Sequence, residues 1–408
     1  MGCSVGVQGD RPRASDPATA SAASTAAPID RGRSERTQRL LDDFVATARR
    51  GGSTAALVSA RDPVFAARAA VWAANLGRVD WSQMSWTAGT RSTDLAPSSR
   101  TAPGAWVQSV VVRWALPGQA RVAQEELWLT FADEAGADGG PATIVIAGDG
   151  AGPRGDAPAP IWWQQAVTLQ RAGSTLLLTA RPAGTWLEEA AAARDAVRKR
   201  IGTADRDPDG PLVVELPQSR AVFEQTLGVT STSYAGVAAA AWPMGPETSS
   251  APIHVVVNPE LTAQLSDLGR EVLLTHEAVH VATRSPGSPA PTWLVEGYAD
   301  QIAYRAHPAG RAPAEKAVRE LVREKGAPST WPTEADFAPD AADLDLAYDL
   351  AWTAARSIAS AYGDDALNRF YAALDRGESM EEAAERIGTT PKQLRQRWRA
   401  DLADLAGR

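Results

Sequence analysis

Leu273-Leu274-Thr275-His276-Glu277-Ala278-Val279-His280-Val281-Ala282 and, a short interval later, Thr292-Trp293-Leu294-Val295-Glu296-Gly297-Tyr298-Ala299-Asp300 are the two segments on which the reading of this chain turns. Both carry helical apolar spacing, and the Ser/Pro/Gly-rich stretch 285–291 between them predicts a reversal of direction. Positions four apart on a helix are offset by only about 40° around the axis, so His276 and His280 project from one face. A tetrahedral metal ion asks for that placement of two nitrogen ligands on one rigid element. Glu277, beside the first histidine, can take a proton from water at the open position of such an ion. Glu296 follows His280 by sixteen positions. Packing of the second helix beside the first would offer its carboxylate as the third ligand. Asp300, one turn further on, is placed to accept a hydrogen bond from the non-ligating nitrogen of His276.

The HExxH pattern followed by a tryptophan-led Glu-Gly-x-Ala segment resembles the gluzincin clan of zinc metallopeptidases. The likeness is to the peptidase MA-like group related to thermolysin and aminopeptidase N, over roughly residues 186 to 405. It implies Zn2+ held by His276, His280 and Glu296, with Glu277 as general base and Asp300 as the aspartate behind His276. It also implies hydrolysis of peptide or protein substrates by metal-activated water. Tyr348, in a helix expected over Leu344–Ala361, resembles the tyrosine that some members use to steady the oxyanion; a packing role is the other reading of that residue. In this clan an upstream edge strand pairs with extended substrate, and Gly236–Trp242 is the candidate. The Gly-x-Met-x-Asn motif of aminopeptidases is not found, which favours an endopeptidase. The alternative is a catalytically silent binding or assembly module on the same scaffold, and the intact Glu277 argues against it.

Around these two segments, strands are expected over Pro211–Leu216, Gly236–Trp242 and Ile253–Val257, with helices over Trp186–Ile201 and Ser219–Leu227 and an almost wholly helical remainder. Upstream, helical spacing runs from Ser34 to Arg49, and a second helix follows the Asp62-Pro63 start. The period then changes to that of strands over Val107–Trp114, Val122–Phe131, Ala142–Ala147, Ile161–Leu169 and Thr175–Thr179. The expected class is α+β: helices plus an antiparallel meander, similar in outline to the cystatin-like or NTF2-like folds, then a small mixed sheet and a helical bundle. The domains implied are a tether over 1–35, an accessory domain over 36–182 and a zincin-like domain over 183–408.

A formal charge of −8 and a pI near 5.2 disfavour nucleic acid as a partner, because phosphate binding needs a basic face. Met380–Trp398 has the outline of a helix-turn-helix, but its first helix is acidic, and a hairpin closing the bundle explains the same pattern. The fourteen tryptophans fall at core-like spacings. Tyr298 reads as structural, and His254 and His307 as surface or internally satisfied residues.

The one cysteine, Cys3, excludes an internal disulfide and any CxxC site. Met1-Gly2-Cys3-Ser4 heads an Ala/Ser/Thr/Pro/Gly-rich stretch to about Ser34 that reads as a flexible tether. The arrangement resembles the lipidation site of a bacterial lipoprotein. It implies a lipid anchor on Cys3 and an extracytoplasmic, membrane-anchored location, with the basic and apolar parts of the signal peptide upstream of Met1.

Overall fold

The structure is a computed structural model that describes residues 28–92, 95, 97, 103–135, 142–149, 158–201, 210–229, 236–246, 250–338 and 341–407. Two helices open it, α1 (Pro28–Arg49) and α2 (Pro63–Arg78). The Asp62 side chain caps α2 by accepting from the Val64 and Phe65 amides, and Pro63 fills the first helical position, where no amide is needed. Four strands follow: β1 (Gln83–Ser92), β2 (Trp106–Ala115), β3 (Ala123–Glu134) and β4 (Thr143–Asp149). They pair in that order, antiparallel throughout. Strand β1 escaped the sequence reading because its side chains are mostly polar and only Trp86 is buried in it.

After a helical turn, α3 (Ile161–Gln164), come β5 (Thr168–Ala172), β6 (Thr175–Thr179), α4 (Trp186–Arg198), β7 (Leu212–Leu216), α5 (Arg220–Leu227), β8 (Ala239–Pro243) and β9 (Ile253–Val257). These strands form a second sheet in the order β5-β6-β7-β9-β8, with β6, β7 and β9 parallel and both outer strands antiparallel to their neighbours. Residues expected to end the meander thus belong elsewhere. Ile161–Gln164 is helical, and β5 and β6 pair into the second sheet, so its ladder runs across the 182/183 division. The upstream division also moves, since α1 begins at Pro28 rather than beyond residue 35. Cys3 lies outside the described residues.

Both faces of this sheet are covered, and the alternation along its strands shows how. Leu177, Val214, Val255 and Val257 face a core shared with the C-terminal helices. Leu176, Leu178, Val213 and Val256 face a second core built with α1, α2 and the first sheet. That second core is rich in indoles: Trp72 stacks on Trp163 at 3.8 Å, and Trp86 and Trp162 meet Trp163 at 5.2 and 5.5 Å between ring centroids. The tryptophans are packing residues here, as their spacing suggested.

The rest is helical: α6 (Pro259–Thr262), α7 (Asp267–Thr283), α8 (Thr292–Ala306), α9 (Ala312–Lys325), α10 (Leu344–Tyr362), α11 (Asp364–Asp375), α12 (Met380–Glu385) and α13 (Pro391–Gly407). Helix α8 is buried over Thr292–Ala303 and packs between α7 and α10. No side chain of its own N-cap residue caps it; instead the Glu334 carboxylate accepts from the Thr292 amide and hydroxyl, an anion at a helix N-terminus. The α12–α13 hairpin seats Leu394, Trp398, Leu402 and Leu405 in the bundle core, and the Trp398 indole donates to Thr353 Oγ1 at 2.9 Å. Among the described residues, no helix is long and apolar enough to cross a membrane.

Gly297 sets the distance between α8 and α10. A Cβ built there would stand 2.2 Å from the Ala351 carbonyl oxygen, a backbone atom that cannot swing aside. Gly297→Ala is therefore expected to destabilise the chain by about 1–3 kcal/mol through overpacking. Gly269→Ala is the control, since its Cβ meets nothing nearer than 3.4 Å. Denaturant midpoints of the two variants check this: equal effects would remove the close approach as the cause.

Candidate metal centre

Helix α7 starts on Ser266, whose side chain accepts from the Gly269 amide at 3.1 Å, and runs without a break through both histidines. It ends at Arg284, which adopts the left-handed conformation (φ 56°). That reversal folds the chain back over the helix end. The Ser285 amide donates to the His280 carbonyl at 3.1 Å, and Ser285 Oγ lies 2.6 Å from His280 Nδ1. The neighbouring helix α8 then presents Glu296 and Asp300 from one face.

His276, His280 and Glu296 converge as a buried group that could hold a metal ion. The two Nε2 atoms are 2.8 Å apart, and each is 3.2 Å from Glu296 Oε2. Ligands about 2.0–2.1 Å from a tetrahedral ion stand roughly 3.3 Å from one another, close to this spacing. Each Nδ1 has its own partner: His276 Nδ1–H donates to Asp300 Oδ1 at 2.7 Å, and His280 Nδ1 is met by Ser285. With Nδ1 engaged, the Nε2 lone pairs of both rings and the Glu296 carboxylate face one another in a dry interior. Glu296 Oε1 has no hydrogen-bond partner at all. One proton can satisfy only part of this arrangement, whereas a cation with two or more charges takes all three ligands. The donor set fits a metal.

The electrostatics agree. Burial opposes protonation of His276, but the charge and hydrogen bond of Asp300, with Glu296 behind, outweigh it and hold the ring up at about 10. Burial alone would raise the Glu296 carboxyl; the His280 and His276 imidazoles outweigh that too and keep it below the ordinary carboxylate range. The cluster thus attracts positive charge while it holds a full negative one inside the protein.

Glu277 is fully buried on α7, between the two ligands in sequence. Tyr348, on α10, is 3% exposed, its ring 5.3 Å from Phe337, and its hydroxyl has no hydrogen-bond partner. Its pKa is raised well above the ordinary phenol value by burial and then by the charges of Glu296, Asp300, Glu277 and Asp345. Burial and those charges keep the phenol protonated and able to donate. The structure therefore brings together the three ligand candidates and Asp300, with Glu277 beside His276 on α7, and buries Tyr348 on α10.

Ser285 was missed by the sequence reading. It lay inside the turn-rich stretch, and only the left-handed Arg284 aims it at His280. Tyr298 is structural, stacked on Tyr371 at 4.4 Å with its hydroxyl donating to Asn368. His307 is internally satisfied by Glu271 and Thr275. His254 is not on the surface: it is fully buried, 2.6 Å from Glu215 and 2.9 Å from Gln119.

No model of a known protein family matches this chain, and no curated protein matches it.

Proposed function

We propose that the chain is a zinc-dependent peptidase of the gluzincin type, with His276, His280 and Glu296 as metal ligands and Glu277 as general base. The observation that carries this reading is the convergence of two imidazole Nε2 atoms and one carboxylate oxygen in a buried group, with Glu277 adjacent in sequence to His276. Zinc is the ion that this set of two imidazoles and one carboxylate suits. When bound, it would supply Lewis acidity, lowering the pKa of a coordinated water to about 7.

The chain's own residues supply the rest. Asp300 and Ser285 hold the two imidazoles in the ligating tautomer and orientation. Glu277 accepts the proton of the attacking water and can return it to the leaving amine. Tyr348, kept protonated, donates to the oxygen on which negative charge develops. Strand β8 ends the second sheet, antiparallel to β9, and packs against α7. It is the strand to which an extended substrate would add by main-chain hydrogen bonds. An endopeptidase is favoured over an aminopeptidase. The first test is metal analysis of purified protein together with cleavage of a mixed peptide library. One zinc per chain and cleavage that a chelator abolishes are expected; no stoichiometric zinc would sink the proposal.

Tyr348→Phe separates catalysis from packing. Loss of a transition-state donor should lower kcat by about 10²-fold or more, with zinc content unchanged. A buried hydroxyl without a partner contributes nothing to the fold, so the thermal midpoint should hold or rise. A fall in stability with unchanged kcat would return Tyr348 to a packing role.

The zincin-like assignment of the C-terminal half and the cystatin-like or NTF2-like assignment of the N-terminal half belong to this proposal too. So does an extracytoplasmic, membrane-anchored location through a lipidated Cys3, resting on the Gly2-Cys3 pair and the tether composition. Expressed in bacteria behind a lipoprotein signal peptide, wild type should fractionate with membranes and Cys3→Ser should not; equal partition of both rules out the anchor.

A further inference from the structure

A trough of ≈ 510 Å³ lies on the surface between α2 and the segment 51–60 that connects α1 to it. Ala66, Ala70, Ala74 and Gly77 share one face of α2 by their spacing and form one wall. Ala70, Ala74 and Gly77 are exposed, where a helix facing water ordinarily carries polar side chains. The connecting segment adds Ala55 and Val58 to the lining. At one end the two helices cross closely: a Cβ built on Gly77 would stand 2.6 Å from the Ala48 carbonyl oxygen, and Ala48 lines the trough too. Arg78, the last residue of α2, stands at that end and is the one charged group in the lining among the described residues. Its guanidinium has no ion pair and no hydrogen bond, nor does that of Arg50, which lies in the chain between Ala48 and Gly51. Thr54 is 7% exposed and also lines the trough. Its hydroxyl caps no amide of the helical turn Ala55–Leu57 and makes no other hydrogen bond.

We propose that this trough binds one molecule of a long-chain fatty acid, with the alkyl chain laid along α2 and the carboxylate at the Arg78 end. The inference is independent of the peptidase reading. From Ala66 to Gly77 the helix runs about 16 Å at 1.5 Å per residue. Spread over that length, the volume gives a section of about 30 Å², roughly a third of that of a helix 10–12 Å across. A single alkyl chain fits such a space, whereas a partner's helix does not sink into it. One trough holds one chain, so a free fatty acid suits it better than a lipid with two. Burial of methylenes against the alanines supplies affinity, and the charge sets direction. A carboxylate is the acceptor that an unpaired guanidinium holds with two parallel hydrogen bonds. Thr54 adds a donor that nothing in the protein uses.

Calorimetric titration of the full chain with monomeric dodecanoate, hexanoate and dodecanol tests this. One dodecanoate per chain is expected, with hexanoate weaker by about 10²-fold or more because six methylenes no longer reach the alanines. Arg50→Gln/Arg78→Gln should weaken dodecanoate by about tenfold or more and leave dodecanol as in wild type. Ala70→Glu, which places a charged side chain in the trough from an exposed helical position, should abolish binding of both at an unchanged thermal midpoint. Wild-type dodecanoate affinity in the double arginine variant or in folded Ala70→Glu protein would overturn the proposal. Uptake of several molecules per chain without regard to Ala70 would do the same, as would binding to vesicles of anionic phospholipid without binding of monomeric dodecanoate. A dimer in sedimentation that Ala70→Glu splits, and that dodecanoate leaves intact, would assign the trough to a second copy instead.

Discussion

Glu277→Gln is expected to retain one metal ion per chain and to lower peptide cleavage by about 10²–10⁴-fold, the range for removal of a positioned general base. Glutamine preserves the shape and most of the packing of a side chain that is fully buried on α7. The variant should therefore match wild type in its thermal midpoint, metal content and peptide affinity. What it loses is the ability to accept a proton. Because the base acts in the chemical step, the loss should fall on kcat rather than on KM. Measuring metal content and kcat on the same preparation decides the matter. Metal-replete Glu277→Gln protein that cleaves at the wild-type rate would exclude Glu277 as the base.

Glu296→Ala should lose stoichiometric metal and, with it, all activity. The carboxylate is the one anionic ligand in a buried group whose other members are neutral imidazoles when they ligate. Its removal leaves two ligands and no charge to offset the ion inside the protein. Asp300→Asn should be milder, weakening metal affinity about 10–100-fold, because it disturbs only the orientation and basicity of His276. Competition with a chromophoric chelator ranks the series, and wild-type affinity in Asp300→Asn would detach Asp300 from the centre. The metal should also support the fold: a ligand at 1,000 times its Kd stabilises by about 4.1 kcal/mol. A chelator should then lower the thermal midpoint of wild type and leave that of Glu296→Ala unmoved.

The candidate ligand group was legible in the sequence because the spacing within each of its helices is local. Two histidines four positions apart share a helix face whatever the rest of the chain does, and Glu296 and Asp300 repeat that relation on the next helix. Patterning was equally informative for α10, whose apolar residues keep helical spacing, and continuous apolar runs marked β7 and β9. The strand expected over Thr175–Thr179 forms, but in the second sheet, for a physical reason. The run Thr175–Thr179 is apolar on both faces, and periodicity says that such a strand is buried without saying in which sheet. Only pairing with β7 assigns it to the second sheet.

Residue order alone dictates which residues can ligate a metal, which carboxylate stands beside them, and that helices and strands share the chain. Tertiary structure decided what surrounds those residues. Gly297 lets α10, which carries Tyr348, approach α8, a contact between residues more than fifty positions apart. Ser285 meets His280 because one arginine turns left-handed at a helix end. The trough along α2 exists because the segment 51–60 leaves a space beside the helix that α1 crosses at Gly77. Spacing along one helix follows from backbone geometry alone, whereas distances between helices follow from which side chains fill the gap, and that depends on the whole packed core.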